Sequence, residues 1–173
     1  ARRLILDLNS ESGEFSKENQ DRFEYFISKL KENGIYLVMD LQTIRVIGAG
    51  ECPQLAGQRY NYYGMFVPEL IEAQKRFITR LLAHRNPYTG LTLAEDPVLA
   101  LIIFHNENSM LYQPNRNRIT SPYALKILKD RFNAYLVQKY GNRNALKKAW
   151  KTLNDAEDPA RGSVELPMNP SGK

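Results

Sequence analysis

The sequence predicts an α/β protein with a parallel sheet. Two nearly continuous apolar runs, Ile35 to Leu41 and Val98 to Phe104, read as strands buried on both faces. Amphipathic helical segments precede, separate and follow them. The order helix, strand, helix, strand, helix fits two βα steps of a parallel sheet.

The first helix is predicted from about residue 17 to 33. Ser16 is its N-cap, because a serine hydroxyl can accept from an exposed amide of the first turn. Phe23, Phe26, Ile27 and Leu30 recur at three- and four-residue spacing as one apolar face, and Gly34 supplies the C′ position. The first strand follows at once. A connection from about Gln42 to Val67 then lacks periodicity but carries Tyr60, Tyr62 and Tyr63, and connections of that length are usually functional or disordered.

Pro68 opens the second helix, where its missing amide hydrogen costs nothing. Leu70, Ala73, Phe77 and Leu81 form the inner face, and the helix ends before Asn86-Pro87. The second strand delivers the polar cluster His105-Asn106-Glu107-Asn108-Ser109. A third helix begins near Ser121-Pro122 and runs to Tyr140-Gly141. A fourth is expected over Asn144 to Lys151, with Leu146, Ala149 and Trp150 inward. Residues 154–173 read as a polar loop or tail belonging to the domain formed by residues 1–153.

The chain has 173 residues, 43% hydrophobic and 25% charged, which is a globular composition. Its net charge of +5 is spread along the sequence, with no concentrated basic stripe or reading module, so no nucleic-acid partner is expected. No apolar run approaches the roughly 18 residues that signal a transmembrane helix. The single cysteine, Cys52, excludes an intrachain disulfide and a cysteine-based metal cluster. His84 and His105 are too sparse to suggest a metal centre, and the glycines form no strand-following dinucleotide fingerprint or P-loop.

The strongest chemical signal is an apolar strand that stops abruptly in Asn106-Glu107. Parallel strands present ligands and catalytic groups beyond their carboxyl ends, because their interiors are packed. A carboxylic acid at such a mouth is suited to proton donation when burial or a neighbouring carboxylate raises its pKa. Asn106 can hold a hydroxyl beside it. Gln42 and Arg45 fall near the same strand ends and are candidate substrate contacts; His105 either lines the site with them or is a structural histidine satisfied by neighbouring hydrogen bonds. Asp40 either faces that mouth or makes a salt bridge or loop cap. Tyr60, Tyr62, Tyr63 and Phe66 either form a sugar-stacking wall or pack the long connection onto the sheet.

The segment Phe23 to Trp150 resembles the middle of a clan A glycoside hydrolase, a cellulase-like member close to family 5. The resemblance rests on Phe77-Ile78-Thr79-Arg80-Leu81-Leu82-Ala83-His84-Arg85-Asn86-Pro87-Tyr88-Thr89-Gly90-Leu91, on Ala94-Glu95-Asp96-Pro97, and on His105-Asn106-Glu107-Asn108-Ser109. It implies a partial (β/α)8 TIM barrel around strands three and four, with residues 2–9 at or just past strand two. It assigns Glu107 as acid/base and Asn106 as a contact near the sugar 2-hydroxyl. It implies a β-linked glycan or glycoside as substrate and no metal or organic cofactor.

The chain departs from the family pattern in two respects. Gln42 stands where relatives often carry His. The family's nucleophile, a Glu at the end of strand seven, has no counterpart here. Glu165 lies in a proline-rich stretch and is not promoted to that role. A complete barrel of this kind takes about 250 residues, so the resemblance implies a fragment completed by further sequence or a second chain. The alternative is a non-catalytic carbohydrate-binding or structural remnant of such a barrel.

Overall fold

A computed structural model describes residues 16–41, 46–104, 106 and 117–167. The chain divides into two compact units, residues 1–108 and 109–173.

In the first unit, α1 spans Lys17–Glu32. Ser16 caps it as expected, its hydroxyl accepting from the Asn19 amide at 3.4 Å, and Gly34 leaves it at φ +67°. Phe23 and Ile27 are buried, whereas Phe26, expected on the same face, points to solvent. β1 (Leu37–Asp40) pairs in parallel with β2 (Leu99–Ile103). Leu37 pairs with Leu99 but Val38 pairs with Leu101, so Ala100 is an extra residue in β2. The bulge keeps both Leu99 and Ile102 on the side occupied by Leu37, Met39 and Leu41.

The crossover between the strands contains two short helical turns, the 3-10 segment Pro53–Leu55 and α2 (Tyr60–Tyr63), and then α3 (Pro68–Ala83). Phe23 and Ile27 of α1 and Phe77 and Leu81 of α3 join Met39, Leu41, Leu93 and Val98 in one core. Both helices therefore cover the same face of the sheet. On the other face no described residue of the first unit covers Val38 and its register partner Leu101, each 55% exposed. This corrects the expectation that both strands are buried on both faces. An apolar run records that a strand is hydrophobic on both sides, but burial needs a layer on each.

Asp96 prepares the entry to β2. Its nearly inaccessible carboxylate accepts from the Val98 amide at 3.1 Å and is paired with Lys31 Nζ at 3.2 Å. The ion pair ties the end of α1 to the start of β2, and the amide bond closes the turn through Pro97.

The second unit contains α4 (Pro122–Tyr140) and α5 (Arg143–Trp150). α4 stops at Gly141, which adopts φ +79°, and Asn142 caps α5 by accepting from the Ala145 amide at 3.0 Å. Phe132 and Trp150 pack with ring centroids 6.1 Å apart, and Leu136, Leu146, Leu153 and Val164 form the core. Residues 154–167, expected as a polar tail, fold back onto this core. A 3-10 turn at Pro159–Arg161 lies against α4, and Val164 is fully buried.

The architecture is α/β, with a two-stranded parallel sheet and, in the first unit, α1 and α3 together on one side of it. Among the described residues no helix is long and apolar enough to cross a membrane.

Candidate functional site

The carboxyl ends of β1 and β2 lie side by side. Asp40 is the register partner of Ile103, and the Leu41 amide donates to the Ile103 carbonyl at 2.9 Å. Asp40 belongs to the open face of the sheet, since Val38 and Asp40 alternate with the buried Met39. Asn106 follows the end of β2 by three residues and is half-buried. His105, Glu107, Gln42 and Arg45 lie outside the described residues.

Gln74, which the sequence reading passed over, contributes to this end of the sheet. Its Nε2 donates to the Leu41 carbonyl at 2.8 Å, so α3 holds the last described residue before Gln42. Its Oε1 is buried and accepts no hydrogen bond from the described residues. The available signal was a polar residue within the apolar series Leu70, Ala73, Phe77, Leu81. A polar group in that position must be matched by a partner in the interior.

The long connection is compact from Val46 onward. An isolated antiparallel bridge joins Val46 to Arg59, and the Ile47 amide donates to Gln58 O at 2.9 Å. Ile47, Cys52, Leu55, Phe66 and Val67 are buried. Tyr60 and Tyr63 are 2% and 0% exposed, and the Tyr60 hydroxyl donates to the Leu70 carbonyl at 2.8 Å. Tyr63 packs near Phe66, with centroids 6.3 Å apart. Tyr60, Tyr63 and Phe66 thus serve the interior of the connection and present no free face for sugar stacking. Only Tyr62 of the expected wall is partly exposed. Burial also raises the Cys52 thiol above its ordinary pKa, which keeps it protonated and unreactive.

Gly64 is required by a close approach. A Cβ at this position would lie 2.3 Å from Cε1 of the Tyr60 ring, and that ring is anchored through its hydroxyl to Leu70. Gly64→Ala is expected to destabilise the protein by about 1–3 kcal/mol. Urea unfolding measures this, and a companion Gly57→Ala change, where no atom lies within 4 Å but φ is +82°, separates backbone strain from the ring clash.

His84 closes α3 and is placed with Nδ1 2.6 Å from Glu24 Oε1 on α1, away from the strand ends. Among the described residues there is no group of three or more His, Cys, Asp or Glu side chains arranged to hold a metal ion.

The fold defines an α/β protein in which α1 and α3 pack on one face of a two-stranded parallel sheet whose carboxyl ends lie side by side. No protein-family model matches the chain, and no curated protein gives a significant match.

Proposed function

We propose that the chain is part of a retaining (β/α)8 glycoside hydrolase that cleaves O-glycosidic bonds in a β-linked glycan. Glu107 is its general acid/base, and Asn106 holds the sugar beside it. The observation that carries this reading is the one-sided layering of the sheet. In a doubly wound sheet helices flank both faces, whereas in a barrel they lie outside and the inner face is closed by other strands. Here α1 and α3 share one face, and apolar Val38 and Leu101 on the other await covering. The remaining strands of a barrel would supply that cover, from the same polypeptide or from a second chain.

In this mechanism Glu107 gives its proton to the glycosidic oxygen as the bond to the anomeric carbon breaks. A carboxylate from outside these 173 residues attacks that carbon from the opposite face and forms a glycosyl-enzyme ester. Glu107, now ionised, removes a proton from water, which displaces the ester and frees the sugar. Two displacements at one carbon return it to its starting configuration. The chemistry requires no metal or organic cofactor.

The test is the stereochemistry of the first product. The complete protein acting on a β-linked oligosaccharide should release the β-anomer before mutarotation, seen by proton NMR. Release of the α-anomer would rule out double displacement, and no reducing sugar from any β-glucan, β-mannan or β-xylan would overturn the hydrolase reading.

A further inference from the structure

The pairing of β1 with β2 keeps one pattern to its last rung. In a parallel pair, a residue facing the neighbouring strand donates its amide to one residue there and offers its carbonyl to the amide two residues further on. Leu37 donates to Val98 O at 2.6 Å, and Leu41 donates to Ile103 O at 2.9 Å. A ladder that continued would next bring the His105 amide to the Leu41 carbonyl. Gln74 Nε2 of α3 donates to that carbonyl, at 2.8 Å. β2 ends at Ile103, and the chain bends at Phe104 and again at Asn106.

The glutamine side chain suits this place. A primary amide carries the same donor and acceptor as a peptide unit. Its orientation is fixed by its partner, since reversing it would set Oε1 against the Leu41 carbonyl, acceptor to acceptor. Leu41 is 1% exposed, so solvent does not reach its backbone readily and the carbonyl needs a partner from the protein. Oε1 is left buried, with no hydrogen bond from the described residues. A backbone rung would likewise present its own carbonyl to the next amide along. Leu70, Ala73, Phe77 and Leu81 of α3 serve the interior by packing, and Gln74 differs from them in what it bonds.

We propose that Gln74 is a positioning residue for the site at the strand ends. Its side-chain amide takes the place of the next backbone rung, so the ladder stops at Leu41 and the segment carrying Asn106 turns out of the sheet. Without that amide, the buried Leu41 carbonyl draws the His105 amide into one more rung, and Asn106 is carried with it. The effect on turnover rests on the hydrolase reading above, whereas the effect on the strand ends does not.

The experiment compares crystal structures of the full chain with and without Gln74→Met, and the turnover of a β-glycan by the complete protein with and without the same change. Methionine fills a similar space but has no amide. The His105 amide should then lie within hydrogen-bond reach of Leu41 O, with Asn106 displaced by about 1 Å or more, and kcat should fall by about 10–100-fold, as misplacements of that size cost. Asn106 in its parent position would overturn the inference. So would a lower melting temperature with unchanged kcat, which marks a purely structural role. Gln74→Glu keeps the proposal testable if the methionine variant does not fold. Protonated, its carboxyl can donate as glutamine does; ionised, it cannot. Its turnover relative to the parent at the same pH should therefore fall as pH rises from about 4 to about 8, and a constant ratio would count against the role. If the parent cleaves no β-glycan, the hydrolase reading fails, and the position of Asn106 in parent and variant structures alone decides the role of Gln74.

Discussion

Glu107→Gln in the complete protein is expected to lower turnover of an unactivated β-glycan by about 10²–10⁴-fold. Glutamine keeps the size and the hydrogen-bonding reach of the side chain but can neither give up nor take a proton at neutral pH. Both chemical steps then suffer, for different reasons. The first loses protonation of the leaving oxygen, and the second loses the base that activates water. A nitrophenyl glycoside separates them, because its acidic phenol departs with little assistance. With that substrate the variant should show a rapid burst of phenol followed by slow steady turnover as the glycosyl-enzyme accumulates. Azide should accelerate the slow phase, since a small anion attacks without needing a base. The melting temperature should stay near the parent value, because the change is isosteric. Unchanged turnover of the natural glycan would remove Glu107 from the acid/base role.

Asn133→Ala is expected to destabilise the second unit by about 2–4 kcal/mol. Asn133 is only 2% exposed, and its side chain bridges two parts of the unit. Nδ2 donates to Lys129 O at 2.8 Å and to Val164 O at 2.9 Å, while Oδ1 accepts from the Val164 amide at 3.0 Å. It thus pairs both backbone polar groups of a fully buried residue. Alanine would leave the Val164 amide and carbonyl without these partners, besides opening a small void. Asn133→Asp tests the donor specifically. It retains an acceptor for the Val164 amide but sets a carboxylate oxygen against two carbonyls, so it should be at least as damaging as alanine near neutral pH. Urea unfolding followed by Trp150 fluorescence measures both variants. A loss under 1 kcal/mol would show that residues 154–167 are held by Val164 and Leu153 packing alone.

The element plan was legible in the sequence because its signals are local. Ser16 and Gly34 bracket α1, Pro68 opens α3, and Pro122 and Gly141 bound α4; each acts through its own backbone and the adjacent turn. The two strands were legible as apolar runs, and their parallel pairing followed from the helix between them. Asn106 was legible as lying beyond a strand, and the fold places it three residues past the end of β2. The aromatic connection was legible as unusual, but its chemistry was not. Whether a tyrosine ring stacks on a ligand or fills a core depends on what folds back over it, and Tyr60 and Tyr63 are covered by their own segment.

By itself, the sequence determined which residues form helices and strands, since caps, prolines, glycines and hydrophobic period act within a few residues. Only the tertiary structure decided which faces those elements bury. Val38 and Leu101 are as apolar as Met39 and Ile102, yet α1 and α3 both lie on the latter pair's side. It also decided which polar groups became structural. The partners of Asn133, Asn86 and Gln74 include backbone atoms 31, 62 and 33 residues away. Burial and hydrogen bonding at that range are properties of the packed chain, and no local pattern encodes them.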